Sequence, residues 1–365
     1  MNLLDPKLPW LLTLAFLISF TATIIFWSNF SKNSMKAILS RILFLIVTIL
    51  FALMSSGIFL NNYGNFYTSW GELFGKNIIN PTIISNSNNL INKSDLINAS
   101  FTAGGSAILR KTIQGETSGI TAQVIIAIPP SFVSALQKGV EPKHNYRFLE
   151  YLSGYPGHPM AWIHGMKIVE KQEEKYASNS LPEVITVLPE LNIYPKVDAE
   201  CMNLPNGPQI ESWITKDVVS YSEKWLGQND SKWGVAGFSS GGWCSAMLVL
   251  KHPDQFDMGV SIAGYFVPEV AVQVQGSNKS KLKSEYDLYK ILANNPPPVS
   301  LYVVDSINDK SSHNSTIRFL GKIQNPISLT EVVIKGAGHN FDSWKQIIPS
   351  MLDWFGTKLQ VSGKL

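Results

Sequence analysis

Gly237-Phe238-Ser239-Ser240-Gly241 spells Gly-x-Ser-x-Gly. The residues just before it, Trp233 to Ala236, predict a short strand, and Cys244 to Lys251 after it predict a helix that stops near Pro253. A sharp strand-to-helix turn lifts a serine hydroxyl clear of a sheet. Its glycines are needed because side chains there would collide with the neighbouring strand and helix. The serine also sits at a helix amino terminus, where free N–H groups and the helix dipole favour negative charge. The chemistry that fits is nucleophilic attack on a carbonyl, with Ser239 as nucleophile and the Ser240 N–H as a donor to the oxyanion.

A hydroxyl nucleophile needs a base. His339, in Gly336-Ala337-Gly338-His339, follows a strand predicted to end at Ile334. The other histidines, His144, His158, His164, His252 and His313, lack this position and glycine context. An acid belongs after the preceding strand, Val299 to Val304, where it would fix the imidazole tautomer. Asp305 ends that strand and Asp309 lies on the following loop. A loop residue can swing back towards the imidazole, so Asp309 is preferred and Asp305 is the alternative. Asp342 is a third candidate, only three residues from His339. A second oxyanion donor belongs after an early strand. Phe148 to Leu152 is such a strand, and the Tyr155 N–H in Ser153-Gly154-Tyr155-Pro156-Gly157 is the expected donor. The sequence carries no metal-ligand cluster, Walker motif or dinucleotide fingerprint, so neither metal nor cofactor is expected.

These residues hang on strands that alternate with helices. Val124–Ile128, Val184–Leu188 and Met258–Ile262 read as further strands. Asp217–Leu226 and the stretch around Gln346–Phe355 read as helices. The expected fold class is α/β with a mostly parallel sheet flanked by helices.

The 365 residues carry 30 basic and 27 acidic side chains, a net charge of +3. That excess is too small for nucleic-acid binding to be expected. Charged residues make up 16%, against about 25% in a typical soluble chain, and the shortage is concentrated. Leu8 to Phe30 and Ile42 to Tyr63 contain no charged residue. Each run is about 22 residues, enough to span a bilayer core. Lys32, Lys36 and Arg41 lie between them with no acid, which places that loop in the cytoplasm and the remainder outside. The expected organisation is a two-helix transmembrane anchor at 1–62, a juxtamembrane linker at 63–100 and a globular domain at 101–365. A multi-pass cell-membrane location with the domain extracytoplasmic follows from it.

The motifs resemble an esterase family of α/β-hydrolases that includes esterase D-like enzymes and secreted actinobacterial mycolyltransferases. The resemblance covers roughly Ala107 to Phe355. Thr117-Ser118-Gly119 followed by Ile128-Pro129-Pro130 looks like the family's opening strands. Gly154-Tyr155-Pro156-Gly157 with Trp162 looks like its His-Gly-x-Pro-Gly region, with Ser153 in place of the histidine. Gly237 to Gly242 matches the nucleophile motif, and Gly338-His339 followed by Trp344 looks like the histidine motif. Ser306-Ile307-Asn308-Asp309 departs from the family's Gly-x-x-Asp, which keeps Asp305 open. The resemblance implies an α/β-hydrolase fold and a serine esterase acting on an ester substrate. The second reading is an acyltransferase using envelope lipid or glycolipid; a third is a hydrolase fold that has become an inactive binding module, against which the intact Ser239 and His339 argue. Membrane-anchored members are similar at Asp198-Ala199-Glu200-Cys201 and Gly242-Trp243-Cys244, which implies a Cys201–Cys244 disulfide. Trp162, Trp243 and Trp344 lie near the motifs and are read as core packing before pocket lining.

Overall fold

A computed structural model describes residues 3, 5–27, 34–64, 70–74, 90–142, 145–194, 198–229, 232–268, 277–310, 312–336 and 338–362. The chain divides into two compact units, Met1–Asn80 and Pro81–Leu365.

In the first unit, helices α1 (Leu8–Trp27) and α2 (Met35–Gly64) are each long and apolar enough to cross a membrane. They pack antiparallel through Thr13 Oγ1–Ser55 Oγ at 2.7 Å and Thr23 Oγ1–Thr48 Oγ1 at 3.1 Å. Small hydroxyl residues thus supply the polar contacts at the seam of two otherwise apolar helices. α2 begins seven residues before its charge-free run, so Lys36 and Arg41 ride on its first turns. Arg41 lies over the Trp27 ring at 5.3 Å. Lys32 lies outside the described residues, as does most of the expected linker. Residues 90–98, placed in that linker by composition, pack against the globular domain instead. Ile91 and Leu96 are buried, and the Ile91 N–H donates to the Trp225 carbonyl at 2.7 Å.

The second unit is built on a nine-stranded sheet in the order β1-β2-β3-β5-β4-β6-β7-β8-β9. The strands are β1 (Ser100–Phe101), β2 (Ala107–Gln114), β3 (Thr121–Ile128), β4 (Arg147–Leu152) and β5 (Val184–Pro189). They continue with β6 (Trp233–Phe238), β7 (Phe256–Ile262), β8 (Ser300–Ser306) and β9 (Ser328–Ile334). β1 to β3 pair antiparallel, as do β3 and β5, and every pairing from β5 through β4 to β9 is parallel. Thr117-Ser118-Gly119 is not a strand. It forms the turn between β2 and β3, where the Thr117 and Ser118 N–H groups donate to the Asp217 carboxylate, each at 2.9 Å.

Parallel strands buried on both faces need two covering layers. The helices Pro130–Lys138, Val219–Leu226 and Ser240–Lys251 pack one face around Phe148, Leu152 and Val235. The helices Ile168–Ala177 and Ile348–Ser362 pack the other around Leu149, Tyr151 and Ala236. The order β5-β4-β6 is decisive for function. The chain leaves β4 to build β5 on one side, then returns to build β6 on the other. Loops at the carboxyl ends of β4 and β6 therefore diverge and leave a crevice between them.

Glu150 stands in the middle of β4, fully buried, with no hydrogen-bond partner for either carboxylate oxygen among the described residues. Burial pushes its carboxyl well above the usual carboxylate range. The side chain is then protonated when folded and ionised when unfolded at neutral pH. Folding takes up a proton, so stability is greatest below the unfolded pKa of about 4.3 and falls as pH rises above it. Glu150→Gln removes that dependence. Its denaturant midpoint should exceed that of the wild type by more at pH 8 than at pH 5, and equal differences at both would refute a neutral Glu150.

Candidate active site

Ser239 is the first residue beyond β6 and caps the helix Ser240–Lys251. Its φ is +55°, a conformation that L-residues other than glycine rarely adopt. The glycines around it are dictated by contact. A Cβ on Gly237 would lie 1.9 Å from the Gly241 carbonyl oxygen, and one on Gly241 would lie 2.3 Å from that of Leu152. β6 can thus turn directly into the helix, and the helix start can press against β4. The Ser239 N–H donates to the Ile262 carbonyl at 2.9 Å, which ties the turn to the end of β7.

His339 follows β9 and faces Ser239. Its Nε2 is 2.9 Å from Ser239 Oγ, and its Nδ1 is 2.6 Å from Asp309 Oδ2. Asn340 caps the next short helix by accepting from the Ser343 N–H at 3.0 Å. That helix carries Trp344, whose ring meets the imidazole edge-on at 4.8 Å. Trp344 stacks in turn on Phe238, and Phe238 packs on Trp162. Trp162, Trp243 and Trp344 are all buried, so they support the site from beneath and do not line open space.

The two candidate acids have different partners. Asp309 is buried beside His339 and also accepts from the Ser312 hydroxyl at 2.8 Å. Asp305, equally buried, lies 2.8 Å from His313 Nδ1. The Asp305–His313 contact braces the loop that carries Asp309, and the His313 N–H donates to the Asp309 carbonyl at 2.9 Å. Asp342 is exposed and pairs with Lys345 at 3.3 Å.

The two expected oxyanion donors face each other across the crevice, since Leu152 of β4 pairs with Gly237 of β6. As the first helical amide, the Ser240 N–H has no acceptor within its helix. The Tyr155 N–H is already engaged, because it donates to the Ser240 side-chain oxygen at 2.7 Å. Sequence reasoning treated Ser240 as a backbone donor alone and missed this hydroxyl. A polar residue at that position of the motif was the available signal. The Tyr155 loop is held from behind. The Asn192 side-chain amide donates to the Gly154 carbonyl at 3.2 Å and also to that of Gly157. Glu190 accepts from the Asn192 N–H at 2.9 Å and lies 3.1 Å from His158 Nε2.

Cys201 and Cys244 form a disulfide with their Cα atoms 5.6 Å apart. Beside it the Trp243 indole N–H donates to the Glu200 carbonyl at 2.8 Å. Two adjacent ties thus bind the loop after β5 to the helix that follows Ser239. The bond closes a 43-residue separation, which by the loop-entropy relation stabilises by about 4 kcal/mol. Replacing both cysteines by serine should lower the unfolding free energy by roughly that amount, read by denaturant titration. A loss below about 1 kcal/mol would contradict it.

Among the described residues no group of three or more His, Cys, Asp or Glu side chains is arranged to hold a metal ion.

No protein-family profile matches the chain. By sequence it is similar to an uncharacterized protein of Corynebacterium glutamicum, 21% identical over 264 residues, covering 67% of this chain. The match spans 60% of the length of that relative. By structure it is similar to a ferulic acid esterase, with a TM-score of 0.57 and 19% identity over 69% of this chain and 98% of the other. It is also similar to an S-formylglutathione hydrolase from Agrobacterium tumefaciens, with a TM-score of 0.58 and 16% identity over 72% and 99%. The sheet order, the flanking helices and these neighbours together show that the chain has the α/β-hydrolase fold of these esterases.

Proposed function

We propose that the chain is a serine esterase that works through an acyl-enzyme on Ser239. One observation carries this reading: the continuous hydrogen-bonded path from Ser239 through His339 to Asp309. His339 Nε2 takes the hydroxyl proton as Ser239 Oγ attacks the ester carbonyl. Asp309 holds Nδ1 protonated and stabilises the imidazolium that forms. The carbonyl electron pair moves onto oxygen and is met by the Ser240 N–H at the helix start. Collapse expels the alcohol, which takes the proton from His339. Water then enters, loses a proton to the same nitrogen and releases the acid.

The setting belongs to the same reading. α1 and α2 anchor the chain in a membrane as two spans, with Lys36 and Arg41 on the cytoplasmic side. The domain then faces the exterior, where an oxidising environment suits the Cys201–Cys244 bond. Its substrates are esters of the cell envelope, including acyl lipids and glycolipids.

The test is labelling with a fluorophosphonate followed by peptide mapping. Modification at Ser239 supports the reading, and an unmodified Ser239 in folded protein removes it. Products measured with and without sugar acceptors then distinguish hydrolysis from acyl transfer to an envelope hydroxyl. Protease added to intact cells should cleave the domain; full protection would reverse the orientation.

A further inference from the structure

Ser240 has two donors on one residue beside the nucleophile: its backbone N–H and its hydroxyl. The hydroxyl oxygen accepts the Tyr155 N–H at 2.7 Å, so that amide is not directed into open space. The hydroxyl proton itself has no acceptor among the described residues. Ser240 is 8% exposed, so its hydroxyl sits within the crevice wall and not on the outer surface. The Tyr155 amide is fixed by the Asn192 side chain and the Gly157 N–H, both of which donate to the Gly154 carbonyl. For the amide to reach a substrate oxygen, the Ser240 side chain would first have to leave it.

We propose that the Ser240 hydroxyl, and not the Tyr155 N–H, is the second donor to the oxyanion. The inference rests on the serine-esterase reading above. As Ser239 Oγ bonds to the carbonyl carbon, the carbonyl π pair moves to oxygen. The Ser240 N–H and O–H both donate to that oxygen, and neither gives up its proton. The Tyr155 N–H acts one bond further back. By donating to the Ser240 oxygen it polarises the O–H bond, as successive hydrogen bonds in a chain do in a site of low dielectric. Ser240 is therefore a catalytic residue, and Tyr155 is a positioning residue acting through it.

The experiment compares wild type, Ser240→Ala and Ser240→Thr on p-nitrophenyl butyrate, with fluorophosphonate labelling of the wild type in the same series. Loss of one oxyanion donor lowers kcat by about 100-fold, and KM should stay within about twofold. Affinity for butylboronic acid, whose tetrahedral adduct mimics the charged intermediate, should fall in parallel. Ser240→Thr keeps the hydroxyl and should restore most of the loss, in kcat and in boronic-acid affinity together. If Ser240→Ala does not fold, Ser240→Cys supplies only a weak S–H donor and is read the same way. Unchanged kcat in Ser240→Ala overturns the proposal. A rise in kcat also overturns it, because the Tyr155 N–H would then be the true donor and the hydroxyl only a plug. A wild type that neither labels nor turns over ends the esterase reading and this proposal together. A wild type that labels beside an unimpaired Ser240→Ala ends this proposal alone.

Discussion

Ser239→Ala should lower kcat/KM on an ester substrate by about 10⁴- to 10⁶-fold. The size follows from what the alanine leaves behind. Without the hydroxyl no acyl-enzyme forms, and His339 can at most direct water at a carbonyl held near the helix start. The oxyanion donors and substrate binding persist and preserve about 10³-fold over the uncatalysed rate. The fold should survive, because among the described residues the hydroxyl contacts only His339. The measurement is kcat/KM beside a thermal melt of the same preparation. Activity above about 1% of wild type in the folded variant would remove Ser239 from the chemistry.

Asp309→Asn should reduce kcat by about 10⁴-fold, while Asp305→Asn should stay within about tenfold. An asparagine at 309 keeps the shape but can donate its amide to His339 Nδ1. The proton then sits on Nε2, the nitrogen that must accept from Ser239. The 2.6 Å contact makes the site sensitive to this inversion. Asp305 touches His313, so its amide variant disturbs only the bracing of the loop. That variant should lose stability more than turnover. Rates ranked the other way would make Asp305 the acid and require the loop to rearrange on substrate binding.

The contrast between the two aspartates also shows where sequence reasoning ends. Gly237 to Gly241 was readable because steric demand leaves few alternatives at a strand-to-helix turn. Strands β3 to β8 announced themselves as apolar runs covered by the helical layers, and the edge strand β9 did so by its β-branched residues, although none of them is fully buried. β2 did not, since Arg110, Lys111 and Thr112 interrupt it, and only every second residue or so faces the core. The helix Pro130–Lys138 is hidden in the sequence because a Pro-Pro pair after a strand suits a strand end as well as the helix start it is. Asp305 is the penultimate residue of β8, and Asp309 closes the turn that follows it. Their partners are set by the direction in which each side chain leaves the backbone, which spacing does not encode. The Ser240 hydroxyl was invisible for a related reason. Its partner, Tyr155, is 85 residues away in sequence and is brought near only by the pairing of β4 with β6.

The backbone of Ser239 bears on how such a protein changes under selection. A φ of +55° on a residue with a Cβ costs of order 1–3 kcal/mol, and glycine would hold the same turn with less strain. On the serine-esterase reading, the reactive residue is thus among those whose removal would relax the fold. Variants chosen for heat resistance alone would drift towards Ser239→Gly, and their survival would measure nothing but the release of the turn. Directed evolution of this chain therefore has to score turnover in every round, because its stability and its chemistry compete for one residue.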